Sequence, residues 1–141
     1  MNTIEFLKQY ERAAEREQLL QDEYDQEALM IDAVRSLSDN DGMPHGSGIS
    51  KPTEEKAVRL SEKHLKLVDA KLEAIRIRQE VFDIVSKVPD VPGRILMLKY
   101  IYLQDWPDVA DSVGYSLRHV FRLHREAVSY IEENNLVTKC H

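Results

Sequence analysis

Two long stretches of the chain, residues 2–39 and 53–88, contain neither proline nor glycine. Proline and glycine are the residues that most disfavour a helix interior, and intervals of this length are several times longer than an ordinary strand. The sequence therefore predicts two long helices, the second ending near residue 87.

Capping signals stand at the start of both stretches. Asn2 is followed three residues later by Glu5, which is the spacing of a reciprocal N-terminal cap. Thr53 is followed by Glu54 and Glu55, whose carboxylates favour the positive end of a helix dipole. The predicted helices therefore begin at Asn2 and Thr53.

Each stretch carries an apolar stripe at helical spacing, although Glu17 and Glu27 interrupt the first. In the first stretch the stripe consists of Phe6, Tyr10, Ala13, Leu20, Tyr24, Ile31 and Val34. In the second it consists of Ala57, Leu60, His64, Leu67 or Val68, Ala74 or Ile75, Val81 and Val85. Such stripes can be buried by packing the two helices on each other.

The segment between the two stretches, residues 40–52, reads "NDGMPHGSGISKP" and is a loop by composition. Two helices of about 50 Å each, joined by this loop, can pack as an antiparallel hairpin, which we expect over residues 1–88. A two-helix hairpin has little core of its own, and we expect it to form a homodimer.

The composition supports an all-α fold: of 141 residues, 31% are charged and only 7% are aromatic. A single cysteine, Cys140, gives no intramolecular disulfide, which favours a cytoplasmic location. No apolar run reaches the roughly 18 residues that a membrane helix needs, so we expect no membrane insertion.

The net charge of −6 is unevenly distributed. Residues 1–52 hold five basic and eleven acidic residues, whereas residues 53–93 hold eight of each and residues 94–141 six of each. The excess acid therefore belongs to the first third, and a local basic face remains possible in the last.

Residues 89–141 predict a separate small domain. "VPDVPG", residues 88–93, should end the second long helix, and "RILMLKYIYLQ" is apolar almost all round and should be buried. Residues 106–125 then read as two short helices meeting at Gly114, with Pro107 in the first turn of one and Ser116 capping the next. These are the proportions of a helix-turn-helix.

Three arginines share one side of the last helix. At 100° per residue, Arg122 lies about 40° and Arg125 about −20° from Arg118, with His119 near 100°. The opposite side holds the apolar residues Val120, Leu123, Ala127 and Ile131. A helix with one apolar face and one arginine face can lie in the DNA major groove.

Three neighbouring aromatic residues are better explained by packing. Trp106 at a helix start is expected to anchor the core. Phe121 falls at the border between the two faces, where packing against a partner is favoured over contact with a thymine methyl. His124 falls on the apolar side, where a hydrogen bond should hold it.

Residues 94–131 contain four features in order: "LMLKYI", the helix start from Trp106 to Ala110, "GYS" at the turn and "RHVFRLHREA". With these features the segment resembles region four of the sigma-70 family of RNA polymerase sigma factors. The whole chain, including the "MPHGSGISKP" loop, resembles phage and prophage regulators of the ArpU type. One departure is Leu117, an apolar residue where sigma factors usually have a polar one, and it is expected to pack.

The resemblance implies a sequence-specific transcriptional regulator that binds double-stranded DNA, with RNA polymerase as a candidate partner. Carried over by position, the DNA-reading residues are Ser116, Arg118, His119, Arg122 and Arg125. The residues themselves leave two alternatives, a helical interaction or assembly adaptor and a DNA-packaging protein of the small-terminase kind. The packaging protein would also bind DNA but form rings, so oligomer size would distinguish it from the regulator.

Catalysis is not expected, because no phosphate-binding glycine loop or nucleophile–base pair is present. No cofactor is expected, and the histidines and Cys140 lack a zinc-ligand spacing. Asp105, Asp108 and Asp111 would repel phosphates, so they either face away from DNA or form an acidic surface for a protein such as RNA polymerase.

Overall fold

A computed structural model describes the backbone of residues 2–39 and 51–137, and the side chains of residues 2–33 and 54–137. The described chain is all-α, as predicted, and contains no strand. Its helices are α1 (Thr3–Leu7), α2 (Gln9–Asp39), α3 (Lys51–Val85), α4 (Asp90–Leu96), α5 (Trp106–Val113) and α6 (Leu117–Glu133), with a π-helical segment at Met97–Ile101.

The first predicted helix is present with a short interruption. Asn2 Oδ1 accepts a hydrogen bond from the Glu5 amide at 2.8 Å, and the Glu5 carboxylate accepts one from the Asn2 amide at 3.3 Å. A turn at Lys8 separates α1 from α2, but the Lys8 amide still bonds to the Ile4 carbonyl. The reciprocal cap therefore starts the helix where the sequence predicted.

The start of α3 differs from the prediction. It begins at Lys51 rather than Thr53, so the predicted loop is two residues too long at its end, and Pro52 lies in the first helical turn. Proline is tolerated there because the first amides of a helix have no intrahelical partner. The rest of the predicted loop, residues 40–50, lies outside the described residues.

Residues 15–39 and 51–72 belong to one compact unit, which is built from parts of α2 and α3. Lys63 Nζ lies 3.4 Å from Glu27 Oε2, and the Tyr24 and His64 rings lie 5.6 Å apart. These contacts indicate that α2 and α3 run antiparallel. Glu27 follows Tyr24 in α2, whereas its partner Lys63 precedes His64 in α3.

The buried side of α3 in this unit is narrower than the predicted stripe. Leu67 is buried while Val68 is exposed, which resolves that alternative, and Ala70 is buried as well. The expectation for Ala57 and His64 was wrong, because both are exposed. They lie about 80° and 60° from Leu67 around the helix, at the edge of the side that faces α2, and the His64 ring still contacts the Tyr24 ring of α2.

Residues 2–14 and 73–137 belong to the other compact unit, which has two hydrophobic clusters. The first cluster joins α1, the end of α3, the π-helical segment and α6; its buried residues are Leu7, Val81, Val85, Val88, Leu96, Tyr100, Ile101, Ala127 and Ile131. The second joins α4, α5 and α6 through Ile95, Val109, Ala110, Val120 and Leu123. Ala74 is buried and Ile75 exposed, which resolves the second alternative.

The non-helical segment predicted over residues 88–93, after the second long helix, is shorter in the structure. Helix α3 ends at Val85, but α4 already begins at Asp90, with Pro92 in its first turn. Proline is compatible with that position for the reason given for α3. Whether residues 89–141 act as a separate domain stays a prediction.

Gly93 allows α4 to approach the preceding turn. A Cβ atom at this position would overlap the backbone carbonyl of Val88, which cannot move aside like a side chain. Gly114, by contrast, has a φ of 77° and open space around it. The two glycines are needed for different reasons, one for space and one for backbone conformation.

We therefore expect Gly93→Ala to lower the free energy of unfolding by about 3 kcal/mol or more, because the backbone itself must shift. Gly114→Ala should cost only about 1 kcal/mol, the cost of a left-handed conformation in a residue with a Cβ. Urea unfolding followed by circular dichroism measures both, and equal losses in the two variants would contradict the packing at Gly93.

Candidate nucleic-acid interface

The turn between α5 and α6 is built by local hydrogen bonds. Gly114 ends α5 in the left-handed conformation, and its amide bonds to the Ala110 carbonyl at 2.9 Å. Ser116 Oγ then accepts the His119 amide at 3.2 Å and caps α6. The roles predicted for Gly114 and Ser116 are thus the ones that the structure gives them.

One side of α6 is buried. Val120, Ala127 and Ile131 have no exposed surface, and Leu123 is also buried, so all four predicted apolar positions face the hydrophobic clusters. The side chains of Arg118, Arg122 and Arg125 are exposed on the other side. Burial of the apolar side therefore fixes the direction in which the guanidinium groups point.

The five predicted site residues lie together. They line a shallow surface recess of about 360 Å³, formed by Ser116, Arg118, His119, Arg122 and Arg125. We call this surface the arginine face. Ser116 stands at the helix N-terminus, so the partial positive charge of the helix dipole adds to that of the arginines.

Within the arginine face the cations are only weakly neutralised. Arg122 is within 3.4 Å of His119 Nε2 and 4.0 Å from the Glu126 carboxylate, at the limit of an ion pair. Among the described residues, no ion pair involves Arg118 or Arg125. Both guanidinium groups therefore keep their donors for solvent or for an anionic ligand.

Tyr115 belongs to this surface although the predicted set omits it. Its ring lies 4.5 Å from the His119 ring, with an interplanar angle of 31°. The side chain is exposed in the turn, so burial does not explain an aromatic residue at this position. The sequence signal was an aromatic residue between the turn glycine and the serine cap, four residues before His119.

Trp106, the first residue of α5, packs against α6. Its ring meets Phe121 edge-on at 5.1 Å and His124 edge-on at 5.0 Å, and Lys99 Nζ lies 5.0 Å from the ring centroid. Trp106 packs against the second cluster, as an anchoring role requires. Phe121 is half exposed, in agreement with its predicted border position.

The expectation that Leu117 would pack was wrong, because 42% of its surface is exposed. Leu117 is the first residue of α6, and at 100° per residue it lies about 100° from Arg118 and about 60° from Val120. The helix has not yet entered the hydrophobic cluster there, so an apolar side chain at this position meets solvent.

His124 of α6 and Tyr100 of the π-helical segment form a polar contact. Tyr100 Oη lies 2.7 Å from His124 Nε2, which supplies the hydrogen bond predicted for His124. Burial, and then the charges of Lys99 and Lys8, lower the pKa of His124 to about 4. Burial, and then the charge of Glu11, raise the pKa of Tyr100 to about 12. Both groups are therefore neutral at pH 7.

The three acidic residues before the arginine face, Asp105, Asp108 and Asp111, are all exposed on α5 or at its start. Their side chains do not appear in any ion pair among the described residues. Both explanations given above, orientation away from DNA and an acidic surface for a protein, stay open.

Among the side chains of residues 2–33 and 54–137, no group of histidine, cysteine or acidic residues could hold a metal ion. No described helix is long and apolar enough to cross a membrane. Comparison with known proteins gave no match to a family model, a curated protein or a solved structure.

The low pKa of His124 predicts a dependence of stability on pH. Between about pH 6.5 and pH 4 the unfolded chain binds a proton at this histidine and the folded chain does not, so stability falls as the pH falls through this window. Allowing for partial exposure of the ring, we expect a loss of about 1–2 kcal/mol.

Urea unfolding at pH 7 and pH 5 measures this loss. His124→Gln can keep the hydrogen bond to Tyr100 without a titrating group, and it should show a smaller difference between the two pH values than the parent. An equal difference in parent and variant would assign the pH dependence to other groups.

Proposed function

We propose that the protein is a sequence-specific DNA-binding transcriptional regulator, and that α6 is its recognition helix. The observation that carries this proposal is the arginine face, where three exposed arginines stand on the first half of a helix whose other side is buried. A recognition helix needs these two properties together, because one side must hold the scaffold and the other must reach base edges.

The chemistry of the arginine face suits DNA. A guanidinium group can donate two parallel hydrogen bonds to guanine O6 and N7 or to a phosphate. The amides at the start of α6 and the Ser116 cap lie where a phosphate would meet the positive end of the helix dipole. Tyr115 adds an exposed ring that can pack on a deoxyribose.

The acidic residues of α6 limit where DNA can lie. A second recess of about 410 Å³ follows along the helix, and Glu126 and Glu133 line it with Arg122 and Arg125. Carboxylates there would repel a phosphate backbone. The proposed contact with the duplex is therefore confined to residues 115–125, with the rest of α6 outside the groove.

The wider proposal follows the resemblance stated above, a phage or prophage regulator of the ArpU type with a C-terminal part similar to sigma-70 region four. In this proposal the protein is a cytoplasmic homodimer that binds double-stranded DNA, has RNA polymerase as a second partner and has no catalytic activity. The likeness in residues 94–131 supports the role in transcription, the small core of a two-helix hairpin supports the homodimer, and the single cysteine supports the cytoplasmic location.

The first test selects bound sequences from a pool of random duplexes and then measures affinity against salt concentration. Replacing Arg118 or Arg125 by Gln should weaken binding. If the side chain contacts a phosphate, all sequences weaken alike and the salt slope falls by about one; if it contacts a base, the cost is about 1–3 kcal/mol at particular sequences.

Arg59→Gln provides the matched control, because Arg59 is an exposed arginine on α3 in the other compact unit. It should bind as the parent does. Parent-like binding by both the Arg118→Gln and Arg125→Gln variants would remove α6 as the recognition helix.

A helical adaptor is the second candidate function, favoured by the large apolar side chains exposed on α2 and α3. Leu19, Leu29 and Leu65 are all about two-thirds exposed. An adaptor would bind no duplex selectively from the random pool, so the same experiment separates the two functions.

A further inference from the structure

Arg122 is held by its neighbours, whereas the other two arginines of the arginine face are not. Its Nη2 lies 3.4 Å from His119 Nε2, and its Nε lies 4.0 Å from a Glu126 carboxylate oxygen. Among the side chains that the structure describes, those of Arg118 and Arg125 take part in no hydrogen bond or ion pair. Each contact of Arg122 is weak by itself, but one comes from the preceding turn and the other from the following turn, so together they restrict the guanidinium group.

The contacts of His119 direct its ring towards Arg122. A guanidinium group can only donate hydrogen bonds, so His119 Nε2 must be the acceptor and carries no hydrogen. The ring is half-buried and lies against the Tyr115 ring at 4.5 Å. The Tyr115 amide in turn bonds to the Ala110 carbonyl at 3.2 Å. A series of contacts therefore leads from α5 through Tyr115 and His119 to Arg122.

Arg122 also lies at the centre of the arginine face. At 100° per residue it is about 60° from His119 on one side and about 60° from Arg125 on the other, with Arg118 close to Arg125. When a helix lies in the major groove, its central residues point to the base edges and its outer residues point to the phosphate backbones beside the groove. The central position of Arg122 therefore favours contact with a base.

The charge beside Arg122 favours a base as well. The Glu126 carboxylate would repel a phosphate placed next to Arg122, but a base edge carries no net charge. Guanine accepts two parallel hydrogen bonds at O6 and N7, and this requires a fixed orientation of the guanidinium plane. A phosphate accepts hydrogen bonds from many directions, so the unrestrained Arg118 and Arg125 suit it.

We propose that Arg122 determines the sequence specificity of the arginine face by binding O6 and N7 of a guanine in the major groove. His119 and Tyr115 are positioning residues for its guanidinium group. Arg118 and Arg125 contact phosphates and add affinity without selecting a sequence. This assignment rests on the proposed function, and the experiment below separates the failure of one from the failure of the other.

Lysine substitutions distinguish the two kinds of contact, because lysine keeps the charge of arginine but lacks its planar fork. The probes are the duplex that the parent selects from the random pool and its single-base-pair variants. Arg122→Lys should weaken binding to the selected duplex on the order of 10- to 100-fold, abolish the preference for guanine at one position and leave the salt slope unchanged. Arg118→Lys and Arg125→Lys are the matched controls and should keep the parent's preference at every position.

Each outcome has one interpretation. A parent that selects no sequence from the pool would contradict sequence-specific DNA binding itself, and the role of Arg122 with it. A selective parent whose preferences survive Arg122→Lys would overturn the role of Arg122 alone. An equal loss of preference in Arg118→Lys or Arg125→Lys would also overturn only the division of roles among the three arginines.

The positioning role of His119 has a test of its own. The Ser116 cap binds the His119 backbone amide, so a change of side chain leaves the cap in place. His119→Ala should reduce the guanine preference, whereas His119→Gln, whose Oε1 can accept from Arg122, should retain most of it. Tyr115→Ala should also reduce it, and Tyr115→Phe, which keeps the ring, should not.

A double-mutant cycle shows whether His119 acts through Arg122. In an Arg122→Lys background, His119→Ala should cause no further loss of preference, because the group that it positions is already absent. A further loss there would mean that the His119 side chain contacts DNA itself, and it would overturn the positioning role.

Discussion

Burial of one side of α6 is the interaction on which the C-terminal part of the molecule depends. Val120 and Leu123 belong to the cluster formed with α4 and α5, while Ala127 and Ile131 belong to the cluster formed with α1 and the end of α3. One helix therefore joins both cores. Contacts with both clusters fix the rotation of α6 about its own axis, so the side that carries the arginines stays exposed.

The parts of this arrangement that depend on local chemistry could be predicted from the sequence. An amphipathic period, a glycine in the left-handed conformation and a serine cap each act within a few residues, so the turn and the faces of α6 follow from residues 106–131 alone. The five site residues share a surface for the same reason, since they lie on one helix and its cap. Their role with DNA is a separate question that the mutants address.

Features that depend on distant residues could not be predicted in this way. The π-helical segment Met97–Ile101 lies in a stretch that is apolar almost all round, so no hydrophobic period in the sequence marks a change in helix type. The partner of His124 is Tyr100, 24 residues earlier, and only the packed fold brings them together. For α3 the sequence left Leu67 and Val68 as alternatives, because α3 has apolar residues on two sides and α2 determines which of them is buried.

The charge distribution explains why self-association and DNA binding would be coupled in such a molecule. The chain as a whole is acidic, and a single arginine face offers a duplex only the cations of one short helix. Each phosphate contact contributes to affinity through counterion release, so a few contacts give weak and salt-sensitive binding. The proposed homodimer would double the contacts without adding basic residues to the sequence, and two identical subunits related by a twofold axis have the symmetry of a palindromic DNA site.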